Sequence, residues 1–416
     1  MEREHFISAR RFFIFTIAVG IAITAYSAFS SLWVLTAIPI GFLFGFFLEK
    51  ADLCGSSAFS EVLLMKDAQK LFGIWVLIVV SMLGFAALSA MGLITLNPKP
   101  LQWANAVIGG LAFGVGIVLA GCCISGCLFK SGQGNINSMA GLLGIPLGIG
   151  IIEYGPLNGF KNYISQFVIK NAEGGPVTLP SLTGLPYGAL ALVFAGITIA
   201  AAWQLRKRKR SVSPYRVKAD DMPIVQRIIT RPWRPWQAGI AIGILAAFAW
   251  MSSMAAVGRN YPLGVTHGVL NAQLLLTDAP LTHVYAKPAT PAPPAPTPAA
   301  EDPKSFFSAG DNAPKPVKKV NWWLILLVTS LVAGANFSAR LSRKIRFLPR
   351  PPEQTVVAFF GGILLGAGAA IAGGCVVGNI MSGFALMSVG NIIFGATVLA
   401  ANWTTTFIYH MGGEMH

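Results

Sequence analysis

The chain has 416 residues, of which 54% are hydrophobic and only 11% charged, and its mean hydropathy is +0.63. A water-facing surface needs far more charge than this, so a soluble domain is excluded. The formal net charge of +15 lies in loops beside apolar stretches, where the positive-inside bias accounts for it without a nucleic-acid partner.

Apolar stretches of spanning length, about 20 residues, recur at Phe12 to Ser30, Leu32 to Leu48, Leu71 to Ile94, Trp103 to Gly121, Leu185 to Leu205, Gln237 to Val257, Asn321 to Leu341, Val356 to Gly374 and Leu386 to Asn402. The fold class is therefore an all-α polytopic membrane protein. Shorter apolar pieces broken by Gly and Pro read as re-entrant half-helices, because about 10 helical residues cover only half of the hydrocarbon.

In chain order, Arg3, Arg10 and Arg11 place the N-terminus in the cytoplasm, and the long first stretch without a small-residue cleavage site reads as an uncleaved helix. The second stretch returns near Glu49 and Lys50. Cys54-Gly55-Ser56-Ser57 then marks a break between a helix end and a short half-helix. Asn97-Pro98-Lys99-Pro100 is a turn outside. Trp103 to Gly121 descends to the cluster AGCCISGC, Ala120 to Cys127, and Met139 to Ile152 comes back as a shorter piece. Pro156 to Pro180 forms an outer loop.

The run Arg206 to Arg210, with Arg216, Arg227, Arg231 and Arg234, is the strongest cytoplasmic marker and divides the chain. Residues 1–205 form a first transmembrane repeat, 206–236 a basic cytoplasmic linker, and 237–410 a second repeat. A Pro/Ala-rich extracytoplasmic linker at 286–319 interrupts the latter. Both termini are expected in the cytoplasm.

The duplication is visible without a gap. Gly109 to Gly126, GGLAFGVGIVLAGCCISG, lies over Gly361 to Gly378, GGILLGAGAAIAGGCVVG, and the two copies cross in opposite senses. An inverted-topology repeat with Gly/Cys-broken half-helices is the expected architecture. Cys123 meets Cys375, whereas Cys122 and Cys127 meet Gly374 and Asn379. Cys54 falls over Gly264 in a weaker alignment.

Broken half-helices usually surround a midplane solute site, with bare N–H groups turned to an anion. Gly114, Gly116, Gly121 and Gly126, with Gly366, Gly368, Gly373 and Gly378, supply backbone freedom there. The outer ones read better as close helix packing. A lone buried cysteine is commonly inert filler, but Cys54, Cys123 and Cys375 at matched breaks point to a substrate pathway. Gly121, Gly126, Gly373, Gly374, Gly378, Cys122, Cys127, Asn379 and His267 are supporting candidates.

A neutral thiol, a weak donor and polarizable acceptor, suits a soft sulfur-bearing ion. The carboxylates Glu49, Asp52, Glu61 and Glu153 form no spaced catalytic pair, so no enzyme is expected. No nucleotide motif, metal site or cofactor is expected either. A membrane thiol-disulfide oxidoreductase would normally carry Cys-x-x-Cys. A soft-metal cation transporter stays open, since thiolates favour such ions.

GFLFGFFLEKADLCGSSAF around Cys54, GIVLAGCCISG around Cys123 and GAAIAGGCVVG around Cys375 resemble the three Gly/Cys signatures of the YeeE/YedE family of bacterial sulfur-compound transporters. The resemblance implies an inner-membrane permease for thiosulfate-like anions, with Cys54, Cys123 and Cys375 passing the ion by S–H hydrogen bonds. It also implies a cytoplasmic sulfur-carrier protein as partner. Some YedE-type members are associated with selenium metabolism, so a selenium compound is the alternative cargo.

Overall fold

Backbone in hydrocarbon has to satisfy its own hydrogen bonds, and the long apolar stretches accordingly fold as helices. The computed structural model describes residues 2–411 apart from 172–173, 211–230, 259–262, 278–280, 286–317, 346 and 348–350. The Pro/Ala-rich linker, most of the basic linker and part of Gly258 to Gly268 thus lie outside the described residues.

The first half contains α1 (Glu2–Ser30), α2 (Ala37–Ala51), α3 (Gly55–Leu64), α4 (Gln69–Ala90), α5 (Trp103–Leu119), α6 (Ile124–Gly132), α7 (Ile136–Glu153), α8 (Asn158–Ile164), α9 (Leu179–Thr183) and α10 (Tyr187–Arg210). The second contains α11 (Pro235–Val257), α12 (Thr266–Thr277), α13 (Trp322–Leu341), α14 (Pro352–Ile371), a π-helical turn (Val376–Met381), α15 (Ser382–Ala385) and α16 (Val389–Thr406). Strand pairs are confined to the loops. β1 (Leu101–Gln102) runs antiparallel to β2 (Val168–Ile169), and β3 (Thr282–Val284) parallel to β4 (Lys319–Asn321).

Among the described residues, nine helices are long and apolar enough to cross a membrane. Their set differs from the expected one at one place. Ile136–Glu153 has spanning length, because α7 continues through Pro146 instead of ending as a half-helix. Near the start, the expected stretch Phe12 to Ser30 lies within α1 (Glu2–Ser30), one continuous helix.

Packing is reciprocal between the halves. α2 lies on α13 and α4 on α11; α7 lies on α14 and α5 on α16; α5 and α14 lie against each other at the centre. Small residues permit these approaches, since apolar side chains gain little by leaving lipid and backbones must come close. A Cβ at Gly109 would stand 2.7 Å from the nitrogen of Ala372, and one at Gly361 would stand 2.5 Å from that of Ala120. The outer glycines therefore serve helix packing, and α5 and α14 run antiparallel.

One charged pair is sealed into this frame. Glu49 and Lys50, at the end of α2, are both fully buried. Glu49 accepts from Ser338 on α13 and from Gln133 (3.3 Å), and pairs with Lys344 (3.1 Å). Lys50 donates to Ser342 (2.6 Å) and lies over the Phe46 ring. Buried charge persists only when so satisfied, and here it ties α2 to α13 and to the α6–α7 turn. By contrast α10 leaves most of its apolar side chains exposed, Ile197 and Ile199 among them, as a lipid-facing helix would.

Candidate functional site

The start of a helix leaves N–H groups without intrahelical acceptors. Three starts in this chain directly follow a cysteine. Cys54 precedes α3 with extended backbone (φ −110°, ψ 135°), Cys123 precedes α6 (φ −79°, ψ 174°), and Cys375 precedes the π turn (φ −96°, ψ −166°). None of these side chains bonds to the N–H groups of its own helix start, so each sulfur is left to face its neighbours.

Local sequence explains the breaks. Gly121 (φ 69°) and Gly373 (φ 65°) adopt the left-handed conformation that ends α5 and α14, at a cost a Cβ would raise. In the Cys54 break the left-handed residue is Asp52 (φ 47°). Lys70 holds it, at 2.7 Å from the Asp52 carboxylate, 2.7 Å from Glu61 and 3.2 Å from Ser57 Oγ.

Cys54, Cys123 and Cys375 are buried to within 1% of full enclosure. The Sγ atoms of Cys54 and Cys123 are 3.8 Å apart, and Ser125 Oγ is 3.4 Å from that of Cys123. Gly126 makes this meeting possible, since a Cβ there would stand 2.5 Å from the Cys54 sulfur and 3.4 Å from the Cys123 sulfur. Cys375 approaches through the next residues along: a Cβ at Gly55 would stand 2.9 Å from Val376 Cγ2. Three breaks from distant parts of the chain thus converge, and all three cysteines are free thiols.

The remaining cysteines behave differently. Cys122 and Cys127 form a disulfide around Cys123, with Cα atoms 5.5 Å apart. Sequence reading had them only as supporting candidates; the signal available for a pair was that both positions change together in the second copy, to Gly374 and Asn379. There the Asn379 side chain closes the same five-residue step, its Nδ2 donating to Gly374 O (2.9 Å) and Ala372 O (3.2 Å). A covalent clasp in one half is a hydrogen-bonded clasp in the other.

Gly378, the counterpart of Gly126, has open space where Gly126 meets sulfur: a Cβ there would find no atom within 4 Å. Lys99 reaches the same break from the Asn97–Pro100 turn, its Nζ donating to Gly373 O (2.6 Å) and Asn379 Oδ1 (2.7 Å). Burial lowers the Lys99 ammonium to about 8, Cys375 opposing the shift and Lys161 adding to it. Sequence reading had taken this residue only as part of a turn. His267, expected beside Gly264, lies on α12 with its Nε2 3.9 Å from Glu153, a carboxylate also held by Lys161 at 2.6 Å. Neither of these contacts joins it to the thiols. The residue directly before α12 is Val265, one beyond Gly264, so the fourth break presents no sulfur.

Buried thiols at bare helix starts can offer weak donors and polarizable surface to an anion. Comparison with known proteins agrees with a transport role. The family model described as Sulphur transport matches residues 50–404. Over 90% of this chain and 98% of the relative, the chain is 27% identical to "Thiosulfate transporter TsuA" of Spirochaeta thermophila. It is 25% identical to "Thiosulfate transporter TsuA" of Escherichia coli K12, over 91% of this chain and 95% of the relative. A shorter match, 31% identical over 42% of each chain, is to "Probable transporter YedE" of Escherichia coli K12.

Proposed function

Because the chain belongs to the sulphur transport family, we propose that it is an inner-membrane permease that brings a thiosulfate-like anion into the cell along its free thiols. The family and the named relatives are transporters, and the chain is a multi-pass membrane protein of that kind and not an enzyme. The specific cargo and route are the proposal.

The observation that carries it is the convergence of the three cysteine-led helix starts, with Cys54 and Cys123 3.8 Å apart at Gly126. A thiol donates one weak hydrogen bond. A soft terminal sulfur can accept it, and shallow binding at successive thiols lets the ion leave as readily as it enters. No bond is made or broken in such a passage. Cys375, beneath the outer loop, receives the ion, and the Cys123–Cys54 pair passes it inward.

Reciprocal packing and the antiparallel α5–α14 pair support an inverted-topology repeat, and the basic residues Arg3, Arg10, Arg11 and Arg206 to Arg210 support cytoplasmic termini. A cytoplasmic sulfur-carrier protein would then collect the ion at the inner face. A selenium analogue of the same charge and size would follow the same path.

Uptake of radiolabelled thiosulfate into liposomes containing the purified protein tests the reading. Cys123→Ala and Cys375→Ala should each lower uptake roughly tenfold or more at subsaturating substrate. Equal uptake by either variant would end the relay, and trapping of a mixed disulfide with a partner in place of uptake would favour thiol-disulfide exchange.

A further inference from the structure

The outer break differs from the inner one in possessing a fixed cation. Lys99 stands between Pro98 and Pro100, whose rings restrict the backbone on either side of it. Its carbonyl accepts from Ser388 Oγ (3.1 Å), which ties this loop to the start of α16. From that anchored position the side chain reaches Gly373 O and Asn379 Oδ1, the two acceptors that flank Cys375 in sequence.

An ammonium has three donors, and these two bonds use two of them. Among the described residues no carboxylate lies within ion-pairing distance of Lys99, whereas Lys70 has Asp52 and Glu61 and Lys161 has Glu153. The break beside it is bare. A Cβ at Gly374 would stand 3.4 Å from the ammonium nitrogen, and Gly378 opens onto free space. A cation held by neutral acceptors, with one donor left and an unobstructed side, keeps its charge available to an anion.

Resting on the transport reading above, we propose that Lys99 is a direct contact for the incoming anion: its ammonium selects for negative charge at the outer mouth and delivers the ion to Cys375. The thiols then discriminate by softness, and Lys99 by charge. This divides selectivity between two chemistries at neighbouring positions. At the inner pair, among the described residues, no cation is hydrogen-bonded to Cys54 or Cys123, and Lys130 acts on Cys54 only through space.

A purely structural Lys99 would serve only to cap the carbonyl end of α14. Kinetics separate the two roles. With the full chain in liposomes and radiolabelled thiosulfate as probe, Lys99→Met should raise KM roughly tenfold with maximal rate within about twofold, as expected for loss of one charged hydrogen bond. Lys99→Arg should keep KM within about threefold, since its guanidinium retains charge and donors. An unchanged KM for Lys99→Met, or a fall in maximal rate alone, overturns the proposal.

A second measurement needs no destabilising variant. The titratable groups that act on Lys99 are Cys375 and Lys161, the latter already paired with Glu153. With an ammonium lowered to about 8, wild-type KM should rise as pH passes from 7 to 9, and Lys99→Arg should be flat. A rise that persists in Lys99→Arg assigns the titration to another group and overturns the role of Lys99. Wild-type protein that takes up no thiosulfate at any pH removes the transport reading itself, a result distinct from working transport with an indifferent Lys99.

Discussion

The segments Gly121–Cys127 and Gly373–Asn379 have one backbone plan and two environments. Each runs from a left-handed glycine to an extended cysteine and on into a helix start. In the first, the clasp is the Cys122–Cys127 disulfide and Gly126, inside it, is packed against the sulfur of Cys54. In the second, the clasp is the Asn379 amide, the counterpart Gly378 faces open space, and an ammonium sits alongside. The two segments present a thiol at a helix start in the same way, and their neighbours make one enclosed and sulfur-rich and the other open and charged.

The contrast is sharpest at the paired glycines. Gly126→Ala should abolish the Cys54–Cys123 approach, because its methyl would stand 2.5 Å from sulfur. Overpacking of that kind costs about 1–3 kcal/mol, and displacement of the thiols should reduce thiosulfate uptake roughly tenfold or more. Gly378→Ala, with no atom within 4 Å of the added carbon, should leave the unfolding free energy within about 0.5 kcal/mol of wild type. Equal effects of the two substitutions would break the comparison.

The clasps come next in size. Cys127→Ser opens a short loop, for which chain entropy predicts a loss of about 2 kcal/mol. Asn379→Ala removes the amide from Gly374 O and Ala372 O and leaves Lys99 with one acceptor, for about 1–3 kcal/mol. Thermal unfolding in detergent should therefore show losses of similar size from opposite chemistries. Only Asn379→Ala should also raise the KM for uptake, since only it releases Lys99. A stability-neutral Asn379→Ala would mean that the second break needs no clasp.

Smallest are the hinges. Gly121→Ala and Gly373→Ala meet nothing closer than 3.7 Å, but both hold a left-handed backbone. The conformational cost is about 1 kcal/mol each, and the two midpoints should fall together. A large difference between them would show that one break tolerates rearrangement and the other does not.

Much of this was legible in the sequence. Hydropathy marked most of the spans, since length and polarity are local properties. The gapless repeat identified Cys123 and Cys375 as equivalents and separated them from Cys122 and Cys127. Where reading by hydropathy failed, the reason is physical: α7 passes through Pro146 and spans, because neighbouring helices in a membrane can re-satisfy the freed backbone groups.

What the sequence by itself determined is therefore the class of fold, the duplication, the sites of the breaks and the residue type presented at each. Only the tertiary structure decided that Cys54 meets Cys123, that Cys122 closes on Cys127 and that Lys99 crosses 274 residues of chain to Gly373. Hydrophobic length and glycine breaks are written into consecutive residues. Which break faces which depends on backbones brought together through small residues, as between α5 and α14, and that packing is a property of pairs of helices far apart in the chain.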